Sequence, residues 1–184
     1  MAFYTGKGDG GTSKLFDTTS GVRVPKSSPI FEALGTFDEL TTIVGFAKVA
    51  ARELPVEEKS AAAILHEVQD HLFTIQAELA GAGKTIPEAS VAAIEGIING
   101  IESSLPPVTT FLVPGATELS ARLDMARAMS RRAERRLVIL NERGERPIGE
   151  HTLRYANRLS SLLYALARLA NHAAGADEAA PSYR

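Results

Sequence analysis

Ile30-Phe-Glu-Ala-Leu-Gly-Thr-Phe-Asp-Glu-Leu-Thr-Thr-Ile-Val44 sets the period against which the rest of the chain is read. Phe31, Leu34, Phe37, Leu40 and Val44 recur at steps of three and four, the spacing that lines up side chains along one face of an α-helix and not along a strand. This predicts a first helix over about residues 30–51. Beyond this helix, Pro55 with Glu57 and Glu58 reads as a second helix start, because proline fits a first turn and carboxylates favour the positive helix end. Ile64, Leu65, Val68, Leu72, Ile75 and Leu79 form its buried stripe, and Gly81 and Gly83 stop it.

Pro87 and Glu88 open a third helix that ends before Pro106 and Pro107. Phe111-Leu-Val-Pro-Gly115 is too short for a helix and reads as a turn presenting one large side chain. Thr117 with Ser120 offers a cap for a fourth helix to about Asn141, and Pro147 with Glu150 opens a fifth to about Ala173. The fold class expected is all-α, a five-helix up-and-down bundle over residues 30–174. Residues 1–29, dense in Gly, Ser, Thr and Asp, form a long N-terminal loop of the same domain, and residues 175–184 form a tail expected to fray.

Composition narrows the functional classes. With 184 residues the chain is one domain, and a formal net charge of −2 gives no reason to expect a nucleic-acid partner. No apolar run approaches the roughly 20 residues of a membrane helix, and Met1-Ala-Phe-Tyr-Thr5 has no basic start followed by an apolar stretch, so a cytoplasmic protein is expected. The absence of cysteine removes disulfides, thiolate metal sites and cysteine nucleophiles. His66 and His71 stand about 140° apart on a helix and make no metal face, and no metal site is expected from the protein's own ligands.

Three clusters remain as candidates for chemistry. Thr5-Gly-Lys-Gly-Asp-Gly-Gly-Thr12 contains a Gly-x-Gly-x-x-Gly string, yet no strand precedes it and no helix follows, so it is neither a dinucleotide fingerprint nor a Walker loop. Its glycines would let backbone N–H groups approach an anion, with Lys7, Lys14, Thr12 and Ser13 adding charge and donors. A flexible arm is the blander account, and on composition alone it is preferred.

On the fourth helix Arg127, Arg131, Glu134 and Arg135 fall within about a quarter of the circumference, while Arg132 and Arg136 point elsewhere. A polyphosphate or neighbouring carboxylates would make that face favourable; a solvated charge run is the commoner case. On the fifth helix Asn157, Ser161, Tyr164 and Arg168 border the apolar Leu159, Leu162, Leu163 and Leu166, either as a binding row or as a helix seam. In the first helix the period is expected to bury at least one of Asp38 and Glu39, which would then want a cation, though simple surface exposure accounts for either acid alone.

In this order and spacing the motifs resemble one family. Tyr4-Thr-Gly-Lys-Gly-Asp-Gly-Gly-Thr12 is similar to the N-terminal ATP loop of PduO-type ATP:cob(I)alamin adenosyltransferases. Arg23-Val-Pro-Lys26, Ala33-Leu-Gly-Thr-Phe-Asp-Glu-Leu40, Phe111-Leu-Val-Pro-Gly-Ala-Thr117, Arg127-Ala-Met-Ser-Arg-Arg-Ala-Glu-Arg135 and Asn157-Arg-Leu-Ser-Ser-Leu-Leu-Tyr164 look like its successive motifs. The chain departs from the family pattern at Gly6, Ala116, Ser161 and Tyr164 and in the stretch Asp17 to Gly21.

The resemblance implies an enzyme that transfers the 5′-deoxyadenosyl group of ATP to the cobalt of cob(I)alamin or a related corrinoid. It further implies Mg²⁺, a homotrimer with ATP at the subunit boundary, a cob(II)alamin reductase upstream and an adenosylcobalamin-dependent enzyme downstream. By position, Thr5, Gly6, Lys7, Gly8, Asp9, Gly11, Thr12, Ser13, Lys14 and Lys26 would surround ATP with Arg131, Glu134, Arg135 and Asn157. Arg127, Asp38, Arg131 and Asn157 would form the catalytic set, Arg127 pairing with Asp38 across the interface, and Phe111 and Tyr164 would meet the corrinoid. A related bundle that only delivers or senses ATP or cobalamin is the second reading, and a purely structural helical trimer the third.

Overall fold

A proline, which cannot donate a helical N–H, begins α1, and the rest of the architecture hangs on this helix. The computed structural model describes residues 2–183. It contains α1 Pro29–Ala50, α2 Ala61–Leu79, α3 Glu88–Ser104, α4 Glu118–Glu142 and α5 Glu150–Ala173. α4 packs against both α1 and α5, α2 against α1, and α3 against α5. On α1 the deepest positions are Ala33, Phe37, Leu40, Val44 and Ala47, and Phe31 and Leu34 are only half-buried. Phe37, Leu40 and Val44 of the opening pattern thus face the core together with Ala33 and Ala47, while Phe31 and Leu34 lie at the edge of the buried arc.

Asp38 and Glu39, flanking that arc, are both exposed, which corrects the expectation that one of them is buried. Arg132 and Arg136, which helical arithmetic turned away from the other arginines, pair with Glu39 and Glu32 of α1. They stitch α1 to α4 along the outer surface.

The second helix starts later than Pro55 suggested. Pro55–Val56 (β3) and Lys59–Ser60 (β4) pair antiparallel, Pro55 opposite Ser60 and Val56 opposite Lys59. Glu57, at the turn, has φ +52°, which a right-handed helix forbids. The hairpin tucks Val56 and Leu54 into the core, and Ser60 then caps α2 by accepting from the Ala63 N–H at 3.2 Å. α2 ends in a left-handed turn at Gly81 (φ +83°), where a Cβ would overlap the Asp17 side chain.

That contact anchors the N-terminal loop. Within it Thr12–Ser13 (β1) pairs with Val24–Pro25 (β2). Arg23 bridges the pair, its Nε donating to Thr12 Oγ1 at 2.8 Å and its NH2 to the Thr12 carbonyl at 2.7 Å. The Phe16 N–H donates to the Ala80 carbonyl at 2.7 Å, and Asp17 is ion-paired with Arg146 between α4 and α5. Hydrogen bonding to Arg146 holds the Asp17 carboxyl below the usual carboxylate range.

Two polar devices join α2 to α5. Glu78 accepts from the Gly149 N–H at 2.7 Å and from the Thr152 hydroxyl at 2.6 Å, placing a carboxylate at the positive end of α5. Nearer the middle, His71 Nδ1 lies 3.0 Å from the hydroxyl of Tyr155, which is fully buried. Burial keeps the Tyr155 hydroxyl protonated and pushes the His71 imidazole below its ordinary value, so a phenol and a neutral ring share this hydrogen bond. The segment after α5 does not fray as expected: Glu178 is bound by Arg168 and Asn171, and the Ala179 carbonyl by the Val113 N–H.

Candidate active site

α4 begins with a capping box. Thr117 Oγ1 accepts from the Ser120 N–H at 3.1 Å and Ser120 Oγ accepts from the Thr117 N–H at 3.0 Å, which fixes the helix start and the rotation of everything on it. That rotation sends Arg127 and Arg131 into a cleft of about 860 Å³ between the end of α3, residues 105–112, α4 and α5. Ile98, Ile101, Leu105 and Leu112 supply apolar wall, and Tyr164, Ser160, Ser161 and Arg168 enter from α5. Phe111 borders the cleft with 79% of its surface exposed, a large aromatic side chain that the described residues leave mostly uncovered.

Six arginines lie on α4, and the partners they find separate them. Arg122, Arg127, Arg132 and Arg136 pair with Glu118, Asp124, Glu39 and Glu32. Arg131 and Arg135 are exposed and have no ion pair or hydrogen bond among the described residues. Beside them Glu134 accepts from Asn157 Nδ2 at 2.7 Å, and Asn157 Oδ1 accepts from Arg158 at 2.7 Å, so Asn157 is held from both sides. The two unanswered guanidiniums therefore flank a fixed carboxylate–amide pair, an arrangement suited to a polyanion that brings several acceptors at once.

Of the residues singled out from sequence, one cleft gathers Arg127, Arg131, Phe111 and Tyr164, with Glu134, Arg135 and Asn157 following along α4 and α5. Within this chain Arg127 pairs with Asp124 through Nε at 2.8 Å and not with Asp38, whose carboxylate has no partner among the described residues. Nor does any hydrogen bond or ion pair among the described residues link loop residues 5–14 to the α4 arginines. The loop is an exposed turn, with Gly6 and Gly11 at positive φ, the Asp9 N–H donating to the Gly6 carbonyl, and Lys26 Nζ reaching the Gly8 carbonyl at 3.2 Å.

Sequence reasoning did not nominate Asp124, Ser160 or Glu102. Asp124 had a usable signal, since it precedes Arg127 by three and so shares its face.

No group of three or more His, Asp or Glu side chains among the described residues converges as a metal site.

Fold and cleft together define a ligand-binding helical bundle whose apolar pocket opens beside a cationic helix face. The chain belongs to the cobalamin adenosyltransferase family, whose sequence model matches residues 3–170. It is 40% identical over 179 residues to the corrinoid adenosyltransferase PduO of Citrobacter freundii, which covers 94% of this chain and 50% of the relative. It is 36% identical to the human corrinoid adenosyltransferase MMAB, over 91% of this chain and 68% of the relative. The chain thus spans about half the length of the PduO relatives it matches. Among solved structures, a phenylalanine-to-histidine variant of the PduO-type ATP:corrinoid adenosyltransferase from Lactobacillus reuteri, complexed with cobalamin and ATP, superposes with a TM-score of 0.87 at 29% identity, covering 99% of this chain and 97% of that one.

Proposed function

We propose that this chain transfers the 5′-deoxyadenosyl group of ATP to the cobalt of cob(I)alamin or a related corrinoid, releasing triphosphate. The observation that carries the reading is the cleft itself: Phe111 and Tyr164 border its apolar wall while Arg127 and the unpaired Arg131 occupy the same space. The solved relative bound to both cobalamin and ATP supports the pairing of substrates.

In this reaction Co(I) is the nucleophile. It attacks the 5′ carbon of ATP, a cobalt–carbon bond forms, and the carbon–oxygen bond breaks with its electron pair leaving on triphosphate. No side-chain nucleophile is needed. The protein's tasks are to hold cobalt and carbon in line and to stabilise charge that grows on the departing triphosphate. Arg131 and Arg135 serve the second task, with Asn157 held by Glu134 beside them. Phe111 adds a further task, covering one corrin face and excluding water from the cobalt. A cobalt without a lower axial ligand is easier to reduce.

The same reading assigns residues 5–14 and Lys26 to ATP. Because no hydrogen bond or ion pair among the described residues joins them to Arg131 and Arg135, a second copy in a homotrimer is the partner that completes the ATP site. Asp38 then meets Arg127 of a neighbouring copy, and the exposed Phe46, Val49 and Met125 become interface. Mg²⁺ enters as Mg–ATP. The reaction belongs in the cytoplasm with its ATP supply, fed by a cob(II)alamin reductase and followed by an adenosylcobalamin-dependent enzyme.

Separate binding measurements test the site. Equilibrium titration of Arg131→Ala should show weakened Mg–ATP binding with corrinoid binding retained, and Phe111→Ala the reverse. Loss of neither ligand in either variant would remove the cleft from the account.

A further inference from the structure

The segment carrying Phe111 has no secondary structure of its own between α3 and α4, and among the described residues 106–116 make a single backbone hydrogen bond. In it the Val113 N–H donates to the Ala179 carbonyl at 2.8 Å, so the tie comes from beyond α5. The neighbouring Glu178 is anchored firmly. Its Oε2 accepts from Arg168 Nε at 2.6 Å and its Oε1 from Asn171 Nδ2 at 2.9 Å, with Arg168 and Glu178 only 12% and 18% exposed. Arg168 lines the cleft one turn beyond Tyr164, and its NH2 also reaches the Pro106 carbonyl at 3.4 Å. Asn171 Oδ1 in turn accepts from Thr117, where α4 starts.

One carboxylate thus holds both borders of the Phe111 segment and neutralises a guanidinium in the cleft wall. We propose that Glu178 is a positioning residue: the chain after α5 is a strap that sets Phe111 at the border of the cleft, and Glu178 is its anchor. The inference rests on the corrinoid reading of the cleft. Without Glu178, Arg168 becomes an uncompensated cation at an apolar surface, and the carbonyl of Ala179 is no longer presented to Val113.

The test uses the full chain carrying Glu178→Gln or Glu178→Ala. Hydrogen exchange of the Val113 amide, the one backbone donor of residues 106–116 with a partner among the described residues, should quicken about tenfold in Glu178→Ala and less in Glu178→Gln, the scale of losing one charge-assisted bond, with α1 and α4 peptides unchanged. The KM for cob(I)alamin should rise about tenfold while that for ATP stays within about twofold. Unchanged exchange at Val113, or corrinoid and ATP constants that move together, would overturn the strap. If the unsubstituted chain adenosylates no corrinoid, the functional reading falls, and the exchange result alone decides whether the strap exists.

Discussion

Arg127 and Arg131 stand one turn apart on the same helix face and differ in what answers their charge: Asp124 meets the first, and no described residue meets the second. An exposed, unpaired guanidinium contributes little to folding, so its removal is felt in ligand use. Arg131→Ala should lower kcat/KM for ATP about 10–100-fold, the worth of one charge-assisted hydrogen bond, and move Tm by no more than about 1 °C. Steady-state kinetics and a thermal melt check both halves. Phe111→Ala should likewise leave Tm in place, since the side chain is mostly exposed, but lower corrinoid turnover at least about tenfold with the ATP KM unaltered. The grouping of Arg127, Arg131, Glu134 and Arg135 was legible from helical arithmetic alone. The fate of Asp38 was not, because it shares its side of α1 with Phe31 and Leu34, and apolar spacing does not show that this side is only half-buried.

Helix ends carry most of the precision at the next scale. Thr117→Ala removes the α4 capping box and the bond to Asn171, and should cost about 1 kcal/mol, seen as a fall of about 2–4 °C in the melting temperature. The cap at Thr117, the start of α3 at Pro87 and Glu88, and the stop at Gly81 could be read directly because each has a chemical reason tied to one residue type. The start of α2 misled because proline followed by two glutamates also suits a tight turn. Here the gain from burying Leu54 and Val56 selected the hairpin, a tertiary effect that local preference does not contain. The strap from Glu178 to Arg168 escaped for the same reason: its partners are brought together only once α3, α4 and α5 have packed.

For the molecule as a whole, the His71–Tyr155 pair makes stability depend on pH. The folded ring titrates below its ordinary 6.5, held down by burial and only partly offset by Glu67 and Asp70, so the unfolded chain takes the proton first. The contribution is intact above pH 6.5 and is lost as the pH falls toward the folded value. His71→Gln keeps a hydrogen-bond partner for the Tyr155 hydroxyl and should flatten the fall in Tm between about pH 6.5 and 5, as thermal melts across that range would record. At this scale the five-helix bundle was readable from period and punctuation. The completed site was not, since no hydrogen bond or ion pair among the described residues joins the glycine-rich loop to Arg131 or Arg135 and only their order along the chain hinted at a common ligand. The most direct test is therefore of the joined site at work: anaerobic incubation of chemically reduced cob(I)alamin with Mg–ATP and the protein, following the loss of Co(I) absorption and the release of triphosphate. A light-sensitive adenosylcobalamin formed in equal amount to triphosphate is the predicted result; both substrates bound with neither product formed would contradict it and leave a carrier or sensor in the place of an enzyme.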